Sequence, residues 1–282
     1  MEYLMTYGWA ILIIAVVLGA LFQLGVFNAG TFAPRAPPGA CQVFRPNGPM
    51  TSSLINLEGV CSGELPQYAS IFSGANSVFI SGSQPGSQGA FTVSFWFDPT
   101  SLGAGTGWAG NMITSIGNND NPNTYTVQFL YQSSQTVYIN GPCPGSIGAS
   151  ASTPLNTWSM LTFVDTGSSG SVYVNAANPN GNYYCTSLGN KFNIAYPVGP
   201  YITGGAFAGG VSNLQIYNTS LSANEIQYLY DEGIGGSPIN LQSLVGWWPL
   251  NGNANDYSGN NNNGAPSGVT YTNQWSGGYT PP

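Results

Sequence analysis

The chain has 282 residues, a net charge of −7, only three basic residues and no histidine. Nucleic-acid binding requires a basic surface, so this composition excludes it, and the lack of histidine and of Cys-x-x-Cys pairs argues against a zinc or haem site. Only 5% of the residues are charged, so we expect a surface built from neutral polar side chains.

Residues 1–27, MEYLMTYGWAILIIAVVLGALFQLGVF, carry a single charge, at Glu2. A secretory signal has a basic start and a shorter apolar stretch, so we interpret this segment as part of the mature chain. Its apolar run predicts a helix about 40 Å long that must be buried in lipid or among other helices. Gly8, Gly19 and Gly25 would let neighbouring helices approach closely.

This segment resembles the N-terminal segment of archaeal type IV pilins with class III signal peptides. In that family the apolar helix first waits in the membrane and then packs into a filament core, where a glutamate pairs with the amino group of the adjoining subunit. The resemblance gives that role to Glu2. In the family the glutamate lies further from the mature start, behind a removed basic leader, so the identity of residue 1 stays open. A static membrane anchor is the alternative.

Residues 28–40 are rich in alanine, proline and glycine and predict a short semi-rigid linker. Beyond it, short alternating apolar stretches separated by turn residues predict an antiparallel β-sandwich over residues 41–282. The predicted strands are SVFISG (77–82), FTVSFWFDP (91–99), MITSIG (112–117), TYTVQFLYQ (124–132), TVYIN (136–140), WSMLTFVD (158–165), SVYVNA (171–176) and VSNLQIYN (211–218). A helix is predicted within 220–233, where Ser222 and Glu225 have capping-box spacing.

Three segments, FTVSFWFDP, NTWSMLTFVDTGSSGSVYVNA and VSNLQIYNTSLSANEIQYLYDEG, resemble the laminin-G-like, concanavalin A-like lectin superfamily. The resemblance implies a jelly-roll sandwich. Residues 244–273, LVGWWPLNGNANDYSGNNNNGAPSGVTYTN, resemble the first strand and loop of such a domain, yet they stand last in the chain. We therefore expect a circular permutation in which this strand completes the sandwich beside 211–218. Donation of the strand to a neighbouring subunit and the start of a truncated second domain are the alternatives.

Four cysteines, Cys41, Cys61, Cys143 and Cys185, follow the apolar segment. An even count in this setting predicts two disulfides outside the cell. We favour Cys41–Cys61, which closes a short loop, and Cys143–Cys185, which would join two strand ends expected to be neighbours. Buried free thiols are the alternative.

The ten acidic residues form no alternating carboxylate pair on a predicted strand, and without histidine there is no nucleophilic triad. Glycoside hydrolysis needs paired carboxylates, so we predict a protein that is not an enzyme. Two loops rich in oxygen ligands, around Asp120 and Asp256, are candidate calcium sites, with ordinary turn chemistry as the alternative. We predict no other cofactor.

Glycan binding needs an aromatic platform with polar neighbours, and Trp108, Trp275 and the loop tyrosines are the candidates, with packing as the alternative. Asn218 begins an N-glycosylation sequon, Asn218-Thr219-Ser220.

Together these features predict a structural subunit of an archaeal pilus-like extracellular filament. The lectin-like domain would be displayed outside for adhesion, and the precursor would be inserted in the membrane. The predicted partners are copies of the chain itself, the membrane before assembly and surface glycans. The alternatives are a membrane-anchored glycan-binding protein that does not polymerise and, less favoured, a degraded glycosidase.

Overall fold

A computed structural model describes residues 13–18, 65–103, 105, 110–117, 125–140, 145–146, 150–180, 182–185, 187–196 and 205–282. Residues 13–18 are helical. The rest of the predicted helix 1–27, with Glu2, Gly8 and Gly19, lies outside the described residues, as does the linker 28–40. None of the helices in the described part of the chain has the length and apolarity that a bilayer span requires.

The strands of the described residues lie between residues 69 and 272. They are β1 (Ala69–Ser73), β2 (Phe79–Ser83), β3 (Ser87–Gln88), β4 (Phe91–Pro99), β5 (Asn111–Gly117), β6 (Tyr125–Tyr131), β7 (Thr136–Asn140), β8 (Gly145–Ser146), β9 (Ser150–Ser152), β10 (Ser159–Asp165), β11 (Gly170–Val174), β12 (Ala177–Asn180), β13 (Asn182–Tyr183), β14 (Ser187–Leu188), β15 (Lys191–Ile194), β16 (Ala208–Tyr217), β17 (Leu244–Trp248), β18 (Ala265–Ser267) and β19 (Thr270–Thr272). Helix α1 spans Ala223–Asp231.

Two antiparallel sheets form the body of the domain. Sheet A has the order β12-β11-β10-β4-β16-β1-β19, with β17 also paired to β16, and sheet B has the order β18-β2-β15-β5-β6-β7-β9. The short strands pair separately, β13 with β8 and β14 with β3. The predicted mostly-β, antiparallel sandwich is therefore confirmed.

The core between the sheets follows from the alternation of β4. Phe91, Val93, Phe95 and Phe97 all point into it and are fully buried. Phe95 meets Phe129 of sheet B edge to face, with ring centroids 5.4 Å apart. Burying each such ring contributes about 2–3 kcal/mol, so this face of β4 fixes which side of sheet A turns inward.

A second apolar cluster covers the outer face of sheet A. Trp96, on the opposite face of β4, stacks on Tyr230 of α1 with ring centroids 5.7 Å apart, and Ile226 and Leu229 of α1 are buried in the same cluster. The predicted capping box is present: the N–H of Ser222 donates to Glu225 Oε2 at 2.8 Å, and the N–H of Glu225 donates to Ser222 Oγ at 3.4 Å. The cap starts α1 where its apolar side can lie on the sheet.

Strand β17 lies in the sheet of its own chain. The N-terminal half of β16 pairs with β1, and its C-terminal half pairs with β17, where Leu214 lies opposite Trp248 and Tyr217 opposite Leu244. A shift in the register of β16 against β4 separates the two halves, and Asn213 there has a φ of 52°. The same edge of β16 thus pairs with both β1 and β17. That this strand order is permuted relative to other lectin-like domains stays a prediction.

The C-terminal strands β18 and β19 connect the two sheets at one side of the sandwich. β18 pairs with β2 in sheet B, and β19 pairs with β1 in sheet A. Gly268, with a φ of 61°, allows the tight turn between them. The segment after β17 therefore closes the sandwich and holds the loop before β18 against it.

Candidate functional site

The loop between β17 and β18, residues 250–264, is organised around one carboxylate. Asp256 Oδ1 accepts the N–H groups of Trp247 at 3.0 Å and Ser258 at 2.8 Å, and its Oδ2 accepts the N–H of Asn262 at 2.9 Å. Three backbone donors aimed at one carboxylate are the pattern of an Asx-type turn. These bonds are the turn contacts that the sequence analysis gave as the alternative, and a calcium ion at Asp256 stays a prediction.

Asparagine amides bind this loop to β17. Asn260 Nδ2 donates to the carbonyls of Leu244 and Val245 at 3.1 and 2.9 Å, and Asn262 Nδ2 donates to the carbonyl of Val245 at 2.9 Å. Strand edges carry unpaired carbonyls that need partners. The two asparagine amides supply these partners, which gives a reason for the Asn-rich sequence of the loop.

Tyr257 stands out of the loop, and the residue is 45% exposed. The ring meets Trp247 edge to face at 6.1 Å between centroids, and its hydroxyl accepts Asn253 Nδ2 at 3.2 Å. The side chain of Asn255 beside it is exposed. We call Asn253, Asn255 and Tyr257 the tyrosine–amide surface.

A second tyrosine lies beside this surface. The N–H of Tyr68 donates to Asn251 Oδ1 at 2.7 Å. Gly252 has a φ of 86°, and a Cβ there would lie 3.4 Å from the Tyr68 ring. An exposed ring gives a flat apolar face, and neutral amides give both donors and acceptors. The arrangement suits an uncharged ligand rich in hydroxyl groups.

The sequence profile of the concanavalin A-like lectin/glucanases superfamily matches residues 72–227, which is more than half of the chain. The chain belongs to this superfamily. This membership confirms the lectin-like resemblance of the sandwich. It does not bear on residues 1–27, where the pilin-like assignment stays a prediction.

Solved structures similar to this chain include a Bacteroides ovatus protein whose description as carbohydrate-binding is provisional. It is 14% identical with a TM-score of 0.54, and the match covers 74% of this chain and 60% of that one. The native heptameric SAP-like pentraxin from Limulus polyphemus is 15% identical with a TM-score of 0.49, covering 73% of this chain and 94% of that one. At 14% identity, the likeness to the Bacteroides protein shows the fold alone. No curated protein sequence matches significantly.

Of the two tryptophans predicted as glycan platforms in the lectin-like domain, Trp275 is a packing residue. It is 6% exposed, its Nε1 donates to the carbonyl of Pro66 at 3.1 Å, and its ring lies edge to face on Trp158 at 6.0 Å. That ring has no open face, so the prediction for Trp275 is wrong. Trp108 lies outside the described residues, as does Asp120.

Cys185 is buried and disulfide-bonded, whereas Cys41, Cys61 and Cys143 lie outside the described residues. Its pairing with Cys143 therefore stays a prediction. The backbone beside the disulfide is held by Asp165, whose Oδ2 accepts the N–H of Cys185 and whose Oδ1 accepts the N–H of Gly167 at 2.6 Å. Burial raises the pKa of Asp165 to about 6, against the lowering effect of these two bonds.

Glucanases share this superfamily, so the spacing of the carboxylates matters. Asp165 lies opposite Phe91 at the start of β4, and Asp98 lies near the end of the same strand. These two carboxyls are therefore about 20 Å apart, whereas glycosidase pairs lie within about 10 Å. Burial also raises the pKa of Asp98 to about 6, against the lowering effect of the Thr157 N–H. Both raised pKa values thus come from burial, and these two groups do not form an acid and nucleophile pair.

The sequon residue Asn218 is exposed at the end of β16, where a glycan can be attached without disturbing the sheet. Its modification stays a prediction. Among the described residues no group of three or more acidic, cysteine or histidine side chains is placed to hold a metal ion. The tyrosine–amide surface is therefore the arrangement within the described ranges that best suits ligand binding. The sequence reasoning named loop tyrosines only as a group and did not single out Tyr257.

Proposed function

We propose that the lectin-like domain is a carbohydrate-binding module whose ligand contacts the tyrosine–amide surface. The observation that carries the proposal is the exposed ring of Tyr257, held in place by Trp247 and Asn253. Sugar rings stack on such faces through their C–H groups while their hydroxyls bond to neighbouring amides. The superfamily and the carbohydrate-binding description of the Bacteroides protein support this ligand class.

The ligand that fits best is a neutral glycan. Lys191, the one basic residue within the described ranges, lies on β15 in sheet B and donates to Ser83 Oγ at 2.8 Å. The loop itself contributes only Asp256, whose oxygens accept backbone N–H groups. An acidic sugar would find no cationic partner on the tyrosine–amide surface, so its desolvation would be uncompensated.

The proposed role is binding without hydrolysis. The carboxylates of Asp98 and Asp165 in sheet A are too far apart to cooperate, and Asp256 holds its loop. Incubation with neutral polysaccharides should therefore release no reducing sugar, measured against a blank. Release above the blank would contradict this part of the proposal.

Substitution of Tyr257 tests the binding site. We expect Tyr257→Ala to weaken binding to a neutral polysaccharide about tenfold, because loss of a stacking face removes about 1.4 kcal/mol. Affinity electrophoresis in gels with and without the polysaccharide gives the two dissociation constants. Tyr228→Ala is the matched control, since Tyr228 is 54% exposed and belongs to α1, not to the loop. Equal binding by both variants would place the ligand elsewhere.

A second candidate function, a filament subunit, is favoured by the surface of residues 13–18. The side chains of Ile13, Ile14, Val16, Val17 and Leu18 are 49–63% exposed in the single chain. Clustered exposed apolar side chains indicate a surface that is covered in use. We propose that copies of the same helix cover them in an extracellular pilus-like filament that displays the lectin-like domain. The alternative is that lipid covers these side chains in a membrane-anchored protein that does not polymerise. Electron microscopy of the cell surface distinguishes the two, because only the first forms filaments.

The disulfide at Cys185 supports an extracellular location for either form, because disulfides persist in oxidising compartments.

A further inference from the structure

Two Asn-Gly pairs lie in the loop between β17 and β18. They are Asn251-Gly252, near the end of β17, and Asn263-Gly264, just before β18. Asparagine is a thermolabile residue, because the backbone nitrogen of the following residue can attack its side-chain carbonyl carbon. A following glycine has no side chain to hinder this attack. The two pairs consist of the same residues, so a difference in their reactivity comes from their surroundings.

The nitrogen of Gly264 is held in a hydrogen bond. Its N–H donates to the carbonyl of Ala254 at 2.8 Å, and Asn263 Oδ1 accepts the N–H of Asp256 at 2.9 Å. The Gly264 nitrogen can attack Asn263 only after its hydrogen bond breaks and its peptide plane turns. The fold therefore opposes the reaction at Asn263.

The other asparagines of the loop are protected in two ways. Every asparagine except Asn251 and Asn263 is followed by a residue with a side chain, which hinders the attack. Many of the following nitrogens are also held, since N–H groups donate to oxygens of the loop or of β17 at residues 255–258, 260 and 262.

Gly252 differs from Gly264 in its hydrogen bonding. It is exposed, its φ is 86°, and its N–H donates to no acceptor in the part of the chain that the structure describes. Asn251 Oδ1 accepts the N–H of Tyr68 at 2.7 Å, and such a donor stabilises the negative charge that develops on this oxygen during attack. Asn263 Oδ1 accepts a similar bond, so the glycine nitrogen is what distinguishes the two pairs.

We propose that Asn251 is a site of spontaneous modification, at which the folded protein converts the asparagine to aspartate and isoaspartate. The Gly252 nitrogen forms a bond to Cγ of Asn251, its proton passes to Nδ2, and ammonia leaves as the Cγ–Nδ2 bond breaks. The product is a five-membered succinimide ring. Water then opens the ring, giving aspartate when the nitrogen separates from Cγ and isoaspartate when it separates from the backbone carbonyl carbon. Water is the other reactant, and nothing is oxidised or reduced.

The modification changes the tyrosine–amide surface, a consequence that rests on the proposed function. Aspartate adds a negative charge beside the Tyr68 N–H. Isoaspartate adds one atom to the main chain between β17 and Asn253, whose Nδ2 donates to the Tyr257 hydroxyl at 3.2 Å. The longer backbone shifts Asn253 relative to the strand, so the ring of Tyr257 is held less well. The surface should therefore lose affinity for neutral glycans as the protein ages.

Peptide mapping by mass spectrometry of the full chain in detergent micelles tests the proposal. Samples are kept at mildly alkaline pH for increasing times. Cleavage after aromatic residues then separates Asn251, in peptide 248–257, from Asn263, in peptide 258–271. Fragment spectra locate the mass gain from replacement of NH2 by OH. We expect Asn251 to react about tenfold faster than Asn263, a factor that corresponds to about 1.4 kcal/mol for the hydrogen bond that must break first.

The same measurement in urea is the control, because urea removes the fold and keeps the sequence. The two pairs should then react at similar rates, since both glycine nitrogens are exposed. Equal rates in the folded chain, faster reaction at Asn263, or no reaction at either pair would each overturn the proposal. A tenfold difference that persists in urea would also overturn it, because the sequence and not the fold would then be the cause.

Affinity electrophoresis of fresh and aged samples tests the consequence for binding. The aged protein should bind a neutral polysaccharide more weakly, in proportion to the isoaspartate found at position 251. Unchanged binding by a fully modified sample would contradict this consequence. Because peptide mapping involves no glycan, failure of the binding proposal for Tyr257 and failure of the modification at Asn251 are distinguishable.

Discussion

Asp165 and Asp256 show how one carboxylate can hold a loop when backbone N–H groups surround it. Asp256 accepts three of them and organises residues 250–264, while Asp165 joins the turn at Gly167 to the backbone of Cys185. Hydrogen bonds to a charged acceptor each contribute about 1.5–3 kcal/mol. Single residues thus hold loops that contain few apolar side chains.

The raised pKa of Asp165 predicts how stability depends on pH. Its pKa is about 6 in the folded chain, against about 4 in an unfolded one. Between these pH values the folded state keeps a proton that the unfolded chain has released. The free energy of unfolding should therefore fall as the pH rises from about 4 to about 6 and change little from this group outside that window.

Urea denaturation at a series of pH values checks this expectation. In Asp165→Asn the fall should be smaller, because within the described ranges the half-buried carboxyl of Asp98 is then the one acidic group with a raised pKa. The measured quantity is the slope of the free energy of unfolding against pH. The absolute free energy also changes in this variant, because an amide cannot accept both N–H groups as the carboxylate does. A slope identical to that of the wild type would show that Asp165 titrates normally.

At the scale of elements, β17 and the loop after it form one unit. Trp248 is fully buried, its ring centroid lies 4.2 Å from that of Phe192, and its Nε1 donates to the carbonyl of Asn262 at 2.8 Å. One side chain therefore joins β17, sheet B and the loop that carries Tyr257. The tyrosine–amide surface depends on this strand for its position.

Trp248→Ala should lower the free energy of unfolding by about 3–5 kcal/mol, because it leaves a large cavity in the core. The exposed Tyr228→Ala variant should change it by less than about 0.5 kcal/mol. Urea denaturation of both variants measures the difference. In detergent micelles that keep the N-terminal helices apart, the midpoint should also be independent of protein concentration, since β17 pairs within its own chain. A midpoint that rises with concentration under these conditions would favour strand exchange between subunits.

At the scale of the whole molecule, two features point to two different roles. The low charge concerns ligand binding, and the exposed helical residues 13–18 concern assembly. Few charges favour neutral hydroxyl-rich ligands on the sandwich. The exposed apolar side chains need a cover that the described sandwich does not supply. The proposed filament satisfies both requirements, with helices packed inside and lectin-like domains outside.

Replacing Glu2 separates assembly from binding. Under the filament proposal, Glu2→Gln removes the charge that pairs with the amino group of the next subunit, so filaments should be lost in electron micrographs. Binding to neutral polysaccharide should be unchanged, because the lectin-like domain is untouched. Filaments of normal number in this variant would contradict the proposed pairing, and a protein that never forms filaments would favour the membrane anchor.

Much of the sandwich was predictable from local patterns. The alternation in β4, the capping box at Ser222 and the long closing strand β16 were all read from nearby residues, and the structure confirms them. Several two- to four-residue strands, such as β8 and β14, were not predicted, because so short a stretch carries no period of its own. Trp275 was misassigned, since its burial depends on Trp158 and Pro66, which are distant in the sequence.

The sequence alone determined the fold class, the lectin-like resemblance and the place of β17 beside β16, because alternation, turn residues and motifs act over short stretches of chain. The tertiary structure alone decided which polar groups lack partners. The contrast between the N–H groups of Gly252 and Gly264, the saturated carboxylate of Asp256 and the open ring of Tyr257 depend on residues that only folding brings together. Burial and hydrogen-bond partnership are properties of the packed chain, so the candidate sites could be located only there.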